Sequence, residues 1–152
     1  MSGEHKDCFV VEGKLALPYQ YFAGTIGSRF LVSLRDEKKI LGLRHPETGK
    51  VLIPPRQVDE ETLVPLGEDW VEVGPAGEVT NFTVVRYEED YQPAKPPYVL
   101  AMIKLDGADT PLAHVLSEVD PGDVKVGMKV KAVFAEERIG SLLDIRHFVP
   151  VA

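Results

Sequence analysis

Apolar and polar positions alternate along most of the chain, with one change of period. Two short apolar runs, 8–11 and 15–17, flank Glu12-Gly13-Lys14, a pattern that predicts a small hairpin with a glycine-bearing turn, ended by Pro18. Ile26, Phe30, Leu31 and Leu34 then recur on one helical face, with Arg35, Asp36, Glu37, Lys38 and Lys39 as a polar end. A helix is therefore expected near 27–37, with Ser28 as its N-cap. From Ile40 the period returns to two. Residues 40–44 and 50–53 read as strands around a turn at His45-Pro46-Glu47-Thr48-Gly49, and 57–66 as an acidic connector. From Trp70 the pattern is β throughout, with strands expected at 70–73, 78–87, 98–105, 112–119, 129–136 and 142–149. Gly-, Pro- and Asp-rich turns and an acidic, proline-bearing loop at 88–97 separate them. Short strands punctuated in this way suit a small closed barrel, in which closure removes the sheet edges that would otherwise template aggregation.

Composition sets limits on this picture. With 152 residues and 44 % hydrophobic content, the chain can bury a core without disulfides or metals. Twelve prolines and thirteen glycines favour turns and short strands over long helices. The formal charge of −7 is unevenly spread: residues 1–66 carry nine basic and nine acidic side chains, residues 67–152 eight basic and fifteen acidic. All of the excess negative charge lies in the barrel half, whereas nonspecific binding to phosphate backbones needs a basic stripe. Cys8 is the only cysteine, so no intramolecular disulfide forms and the usage suits a reducing compartment. The charged N-terminus lacks an apolar run of signal-peptide length, and no stretch approaches the ~20 apolar residues of a membrane span. A cytoplasmic protein is expected.

Candidate chemistry is sparse. Cys8 has no Cys-His motif around it to supply a base and a lowered pKa, so it reads as structural. His5, His45, His114 and His147 are dispersed and form no metal signature; they read as tail, turn, core and surface residues respectively. Gly24 and Gly27 lie at the entry to the expected helix without completing a phosphate-binding motif. Tyr19, Tyr21 and Phe22 form an aromatic cluster that suits either core packing or an interface. Arg56 differs in kind. It follows Pro54 and Pro55, whose restricted backbone sets an extended, rigid exit from the turn, and its planar fork of donors suits a phosphate or carboxylate. The competing reading is an ion pair with Asp59, Glu60 or Glu61. Pro96-Pro97-Tyr98 repeats the device at the start of a strand, and Tyr91, in the loop before it, is placed to lie over a ligand or partner.

A glycine-bearing turn followed by Pro54-Pro55-Arg56, then a β domain containing Pro96-Pro97-Tyr98 and Val126-Gly127-Met128-Lys129-Val130, resembles domain-of-unknown-function family 35 from about Phe30 to Phe148. The resemblance implies a rubredoxin-like zinc ribbon and an oligonucleotide/oligosaccharide-binding (OB) barrel. The expected fold is thus mainly β: an N-terminal hairpin and helix over 1–38, the ribbon and connector over 39–66, and the C-terminal OB-fold barrel over 67–152. In the family pattern a Cys-x-x-Cys precedes Pro-Pro-Arg and a second cysteine pair follows it. The matching positions here are His45, Thr48, Asp59 and Thr62. A structural zinc site closes a tetrahedron with four good ligands, typically thiolates and imidazoles, so a metal-free ribbon held by packing and hydrogen bonds is expected. Family members assemble with thiolase-like or ketoacyl-synthase-like enzymes acting on acyl-CoA thioesters. The resemblance therefore implies a noncatalytic accessory subunit of a thiolase-like acyl-CoA acyltransferase or aldolase complex. No cofactor is expected; a CoA thioester is the candidate ligand, and Pro54, Pro55, Arg56, Tyr91 and Tyr98 are the candidate ligand- or partner-binding residues. The alternative is a nucleic-acid-binding OB barrel, in which Phe82, Tyr87 and Tyr98 would stack bases in spite of the acidic balance. A small enzyme using Cys8 or His114 is a further rival.

Overall fold

The structure, a computed structural model, describes Val11, Gly13, Leu15 and residues 17–151. Cys8, His5 and most of the hairpin expected over 8–17 lie outside the described residues. The element order is α1 (Gly24–Val32), a π-helical turn (Ser33–Glu37), β1 (Ile40–Arg44), β2 (Val51–Leu52), β3 (Trp70–Val73), β4 (Ala76–Val85), β5 (Tyr98–Leu105), β6 (Leu112–Leu116), β7 (Lys129–Phe134), a 3-10 turn (Leu142–Asp144) and β8 (Ile145–Pro150).

The helix begins three residues earlier than its apolar periodicity suggests. Gly24 takes φ +78° at its start, a conformation open to glycine without a Cβ penalty. Its N-cap is Ala23, with no side-chain cap, so Ser28 lies inside the helix instead of capping it. At the other end the turn widens over Ser33–Glu37, and Lys38 leaves it at φ 55°. The last carbonyls of a helix need outside donors. Arg138 supplies one to Arg35 O at 2.7 Å, and the buried Ser33 hydroxyl lies 2.8 Å from Phe30 O and 3.1 Å from Lys39 O.

Two β systems follow. The first is a three-stranded antiparallel sheet in the order β2-β1-β3, with Leu43 opposite both Leu52 and Trp70. Trp70–Val73 thus pairs with the ribbon strand and not with the barrel strands that follow it in sequence. The second system is the OB barrel, a ring in the order β4-β5-β6-β8-β7 with β7 returning to β4. Its seam between β6 and β8 is narrow: one parallel pair, Leu116 with Phe148, reinforced by Ser117 N–H donating to Phe148 O at 2.8 Å. Gly77 sits where β4 is flanked by both β5 and β7, and a Cβ there would fall 2.4 Å from Lys104 O.

One continuous core joins the two systems. Phe30, Leu34, Ile40, Val51, Ile53 and Val73 pack in the same buried cluster as Val79, Ile103, Leu105, Leu112, Val130, Ile145 and Phe148 of the barrel. Along β5, Val99, Ala101, Ile103 and Leu105 are buried and alternate with more exposed positions, the period-two signature of a strand with one face inward. A smaller cluster of Leu43, Leu52 and Leu66, with Ile26 and Trp70 beside it, seats the connector and helix against the outer face of the ribbon sheet. The Arg29 guanidinium lies 4.8 Å over the Trp70 ring.

Candidate functional site

The ribbon tip is formed by two turns that the topology brings face to face. After β1, His45 N–H donates to Lys50 O at 2.8 Å and Gly49 N–H to His45 O at 2.9 Å, closing the β1–β2 hairpin. In the connector, Asp59 and Val64 are joined by an N–H to carbonyl bond of 3.0 Å, and Leu63 N–H returns to Asp59 O at 3.0 Å. Within each turn the first side chain collects amides. His45 Nδ1 accepts from Glu47 and Thr48 at 3.1 and 3.2 Å. Asp59 Oδ2 accepts from Glu61 and Thr62 at 3.1 and 2.9 Å and from the Thr62 hydroxyl at 2.9 Å. The amide and hydroxyl of Thr62 hold the Asp59 carboxyl below the usual carboxylate range. His45 Nε2 faces Asp59 Oδ2 at 3.9 Å. The imidazole is thus a buried member of the turn.

The Pro-Pro-Arg exit bends at Ile53–Pro54, so it does not run straight, as two successive prolines suggest. Its direction is set from the barrel. Thr110, in the β5–β6 loop, bonds both backbone groups of Ile53: its hydroxyl accepts from Ile53 N–H at 2.7 Å and donates to Ile53 O at 2.8 Å. Next to it, Asp109 Oδ2 accepts from Val51 N–H and Asp109 N–H donates to Val51 O, both at 2.8 Å. Two residues of the barrel thereby pair with the outer edge of β2. Arg56 leaves this clamp half-buried and forms an ion pair with Glu60 four residues on. Pro55, Arg56 and Gln57 share a cavity of about 230 Å³ with Ala23, Gly24, Thr25, Ile26 and Gly27 at the start of α1. No acidic side chain lies in the first turn of that helix, whose amide end favours anions. Arg56 and the α1 start are adjacent only in space, and their convergence has no linear motif.

The tyrosines lie elsewhere. Tyr98 opens β5 opposite Val85 and lines a separate cavity of about 220 Å³ with Lys95, Pro97 and Glu118. Tyr91 is 84 % exposed on the acidic loop. The cavity of about 580 Å³ in that loop carries Glu88, Glu89 and Asp90 against the single cation of Lys95, a poor match for an anionic ligand. Of the aromatics weighed for base stacking, Phe82 packs against the core and Tyr87 is exposed. Tyr19, Tyr21 and Phe22 are 79 %, 79 % and 80 % exposed, so among the described residues they are surface and not core.

His114 is buried, as expected for a core position, with its ring edge-on to Phe148 at 5.6 Å; burial pushes its pKa down. His147 is a correction. It is not a surface residue: its side chain is 15 % exposed, and Nε2 lies 3.5 Å from Glu118 Oε1 without a hydrogen bond. A buried carboxylate that accepts three amides has no counterpart among the residues the sequence suggests. Asp144 is 2 % exposed and accepts the amides of Ile139, Gly140 and Ser141 at 3.0, 2.8 and 3.2 Å. Its signal was present: Ser141-Leu142-Leu143-Asp144 is a capping box.

Residues 70–135 match the family model of the ChsH2 C-terminal OB-fold domain. The chain is also similar to a solved protein of unknown function from the DUF35 family of Sulfolobus solfataricus. The two are 26 % identical, with a TM-score of 0.56 over 72 % of this chain and 78 % of that one. The similarity is to DUF35 proteins, and the family model covers the OB-fold segment. A second solved structure, an Ltp2-ChsH2(DUF35) aldolase, shares the fold at 20 % identity, with a TM-score of 0.59 over 82 % of this chain and 94 % of that one. No curated protein matches the chain.

The similarity to DUF35 proteins raises the question of zinc at the ribbon tip, and the side chains there do not suit it. A tetrahedral structural site draws on thiolates, imidazoles and carboxylates. Thr48 and Thr62 offer only hydroxyls, and the Thr62 hydroxyl is already bonded to Asp59. Nδ1 of His45 is committed to two amides. Among the described residues no group of three or more His, Cys, Asp or Glu side chains is arranged to hold a metal ion. Nor is any helix among them long and apolar enough to cross a membrane.

Proposed function

We propose that this DUF35-like protein is a noncatalytic accessory subunit of a thiolase-like acyl-CoA acyltransferase or aldolase complex, working in the cytoplasm and without a bound metal. The observation that carries the proposal is the run ahead of α1. Leu15, Leu17, Tyr19, Tyr21 and Phe22 are all more than 70 % exposed, while the core of the ribbon and barrel closes without them. Apolar and aromatic side chains concentrated on one exposed segment are the composition of an interface anchor. The Ltp2-ChsH2(DUF35) aldolase, in which a protein of this fold stands beside an enzyme, supports the same reading. The barrel's acidic balance argues against nucleic acid as the partner.

Within such a complex the cavity between Arg56 and the start of α1 is the candidate place for an anionic part of an acyl-CoA, since a guanidinium and free helix amides both favour phosphate. Tyr91 and Tyr98 remain candidates for partner contact on the barrel side.

The experiment is affinity purification of the tagged protein from its native host at moderate salt, with mass spectrometry of what stays bound. A stoichiometric thiolase-like partner is expected; recovery of the chain alone, or with nucleic acid, overturns the proposal. In the recovered complex, Arg56→Ala should weaken acyl-CoA binding about tenfold, the scale of one charge-assisted contact. Unchanged affinities for CoA and for the partner would remove Arg56 from the site.

A further inference from the structure

The two turns at the ribbon tip are built alike. In each, the side chain of the first residue accepts the amides of the third and fourth: His45 Nδ1 from Glu47 and Thr48, and Asp59 Oδ2 from Glu61 and Thr62. The two accepting side chains then face each other. The His45 ring is 3 % exposed, and its Nε2 has no hydrogen-bond partner while standing 3.9 Å from Asp59 Oδ2. Because Nδ1 accepts, the neutral ring carries its proton on Nε2, so the orphaned buried atom is a donor directed at a carboxylate. A buried donor left without any acceptor is costly, and the carboxylate that stands 3.9 Å from it belongs to the opposite turn.

We propose that His45 and Asp59 form a clasp that joins the two turns in the place a metal ion would take, leaving the ribbon tip independent of metal while keeping its four positions apposed. A metal cross-links two turns by sharing ligands from both; here an N–H facing a carboxylate makes the same cross-connection. Each fourth residue stays beside the first: the Thr48 amide is 3.2 Å from His45 Nδ1 and the Thr62 hydroxyl 2.9 Å from Asp59 Oδ2. Thiolates placed at positions 45, 48, 59 and 62 would then converge on one point. The clasp stands or falls apart from the partner assignment, since nothing in it involves an enzyme subunit.

The test uses the full chain. The purified wild type should hold well under one equivalent of zinc by elemental analysis and melt at the same temperature with and without a chelator. One equivalent of zinc, or a melt lowered by the chelator, overturns the clasp. His45→Asn and Asp59→Ser each keep an oxygen able to accept the turn amides, while the first removes the Nε2 donor and the second withdraws the acceptor that faces it. Their effects on the melting temperature should be non-additive in the double variant, the second change costing less than half of what it costs alone; additive shifts refute the coupling. The combined variant His45→Cys, Thr48→Cys, Asp59→Cys and Thr62→Cys should bind one equivalent of Co(II) with the intense visible absorption of a tetrahedral thiolate site. If it folds but gives only a weak octahedral spectrum, the four positions are not apposed. If it does not fold, the wild-type metal content and the double-variant cycle decide the question.

Discussion

Replacing Thr110 by Val keeps the β-branched shape of the side chain and removes one hydroxyl, which tests whether the barrel holds the ribbon through the backbone of Ile53. That hydroxyl serves two partners, accepting from Ile53 N–H at 2.7 Å and donating to Ile53 O at 2.8 Å. The Ile53 side chain is fully buried, so neither backbone group is freely reached by water when the hydroxyl is gone. Leaving a buried donor or acceptor unsatisfied costs about 1–3 kcal/mol. This site is only part-buried, so about 2–3 kcal/mol for the pair is the reasonable sum. For a chain of this length about 1 kcal/mol moves the melting temperature by roughly 2–4 °C, so Thr110→Val should melt about 5–10 °C below wild type. Thr110→Ser keeps both bonds and gives up only a methyl group, worth about 0.8 kcal/mol. Calorimetry gives the stability, and amide hydrogen exchange at Ile53 reports the lost bond directly. The reasoning fails if Thr110→Val lies within about 0.5 kcal/mol of wild type, inside the ordinary scatter of surface substitutions, or if Ser destabilises as much as Val.

Other consequences can be checked in the same purified protein. Asp144→Ala strands three amides around a carboxylate that is 2 % exposed, and should lower unfolding stability by about 3–5 kcal/mol in urea titrations, with Asp144→Asn recovering part of the loss. Burial holds the His114 imidazole below its ordinary value. As pH falls through about 6.5 the unfolded chain therefore takes up a proton first, and the stability contributed by the neutral ring, complete above that pH, is lost as pH falls toward the folded value. Denaturation midpoints should drop between pH 7 and pH 5.5, and His114→Gln should flatten that slope. Glu60 pairs with Arg56 on an exposed face, so Glu60→Ala should change stability by less than about 0.5 kcal/mol. If Arg56 receives an anion, the same change should tighten acyl-CoA binding severalfold by calorimetric titration.

The parts of the fold that could be read from the sequence are those in which a strand's own periodicity carries the signal. β5 was expected at 98–105 and runs from Tyr98 to Leu105, because Val99, Ala101, Ile103 and Leu105 make its buried face unambiguous. β6 was expected to reach 119 but ends at Leu116, where Ser117 turns its amide to Phe148 and Glu118 takes φ 58°. That ending is imposed by a partner strand, which apolar pattern alone does not reveal. Residues 142–149 were expected as one strand, but the Ser141–Asp144 capping box bends their first turn into a 3-10 helix. Trp70–Val73 alternates as any half-buried strand does, and nothing in those four residues says that their neighbour is Ile40–Arg44. The helix start was misplaced for a related reason: Ser28 has the chemistry of a cap, but the helix begins at Gly24 without one.

The same division runs through the candidate site, where residue chemistry was legible and proximity was not. Arg56 was recognisable as a guanidinium on a constrained backbone, suited either to an anionic ligand or to an ion pair with the acidic connector, and the pair with Glu60 is formed. The helix start that shares its cavity lies about thirty residues earlier in the chain, and only the core carried by Phe30, Leu34 and Ile53 brings the two together. Positions 45, 48, 59 and 62 could be aligned, and from their side-chain types zinc was not expected there. That the first residues of the two turns face each other, one presenting N–H and the other a carboxylate, required the fold. The clamp at Thr110 connects these observations: it ties the ribbon edge to the barrel one residue before the Pro54-Pro55-Arg56 exit. Loosening it should therefore disturb the Arg56 cavity without touching a residue that lines it. Thr110→Val should weaken any acyl-CoA binding that depends on Arg56 while Thr110→Ser leaves it intact. A Val variant that loses stability yet binds at full strength would show that the Arg56 cavity is positioned by α1 and the connector alone.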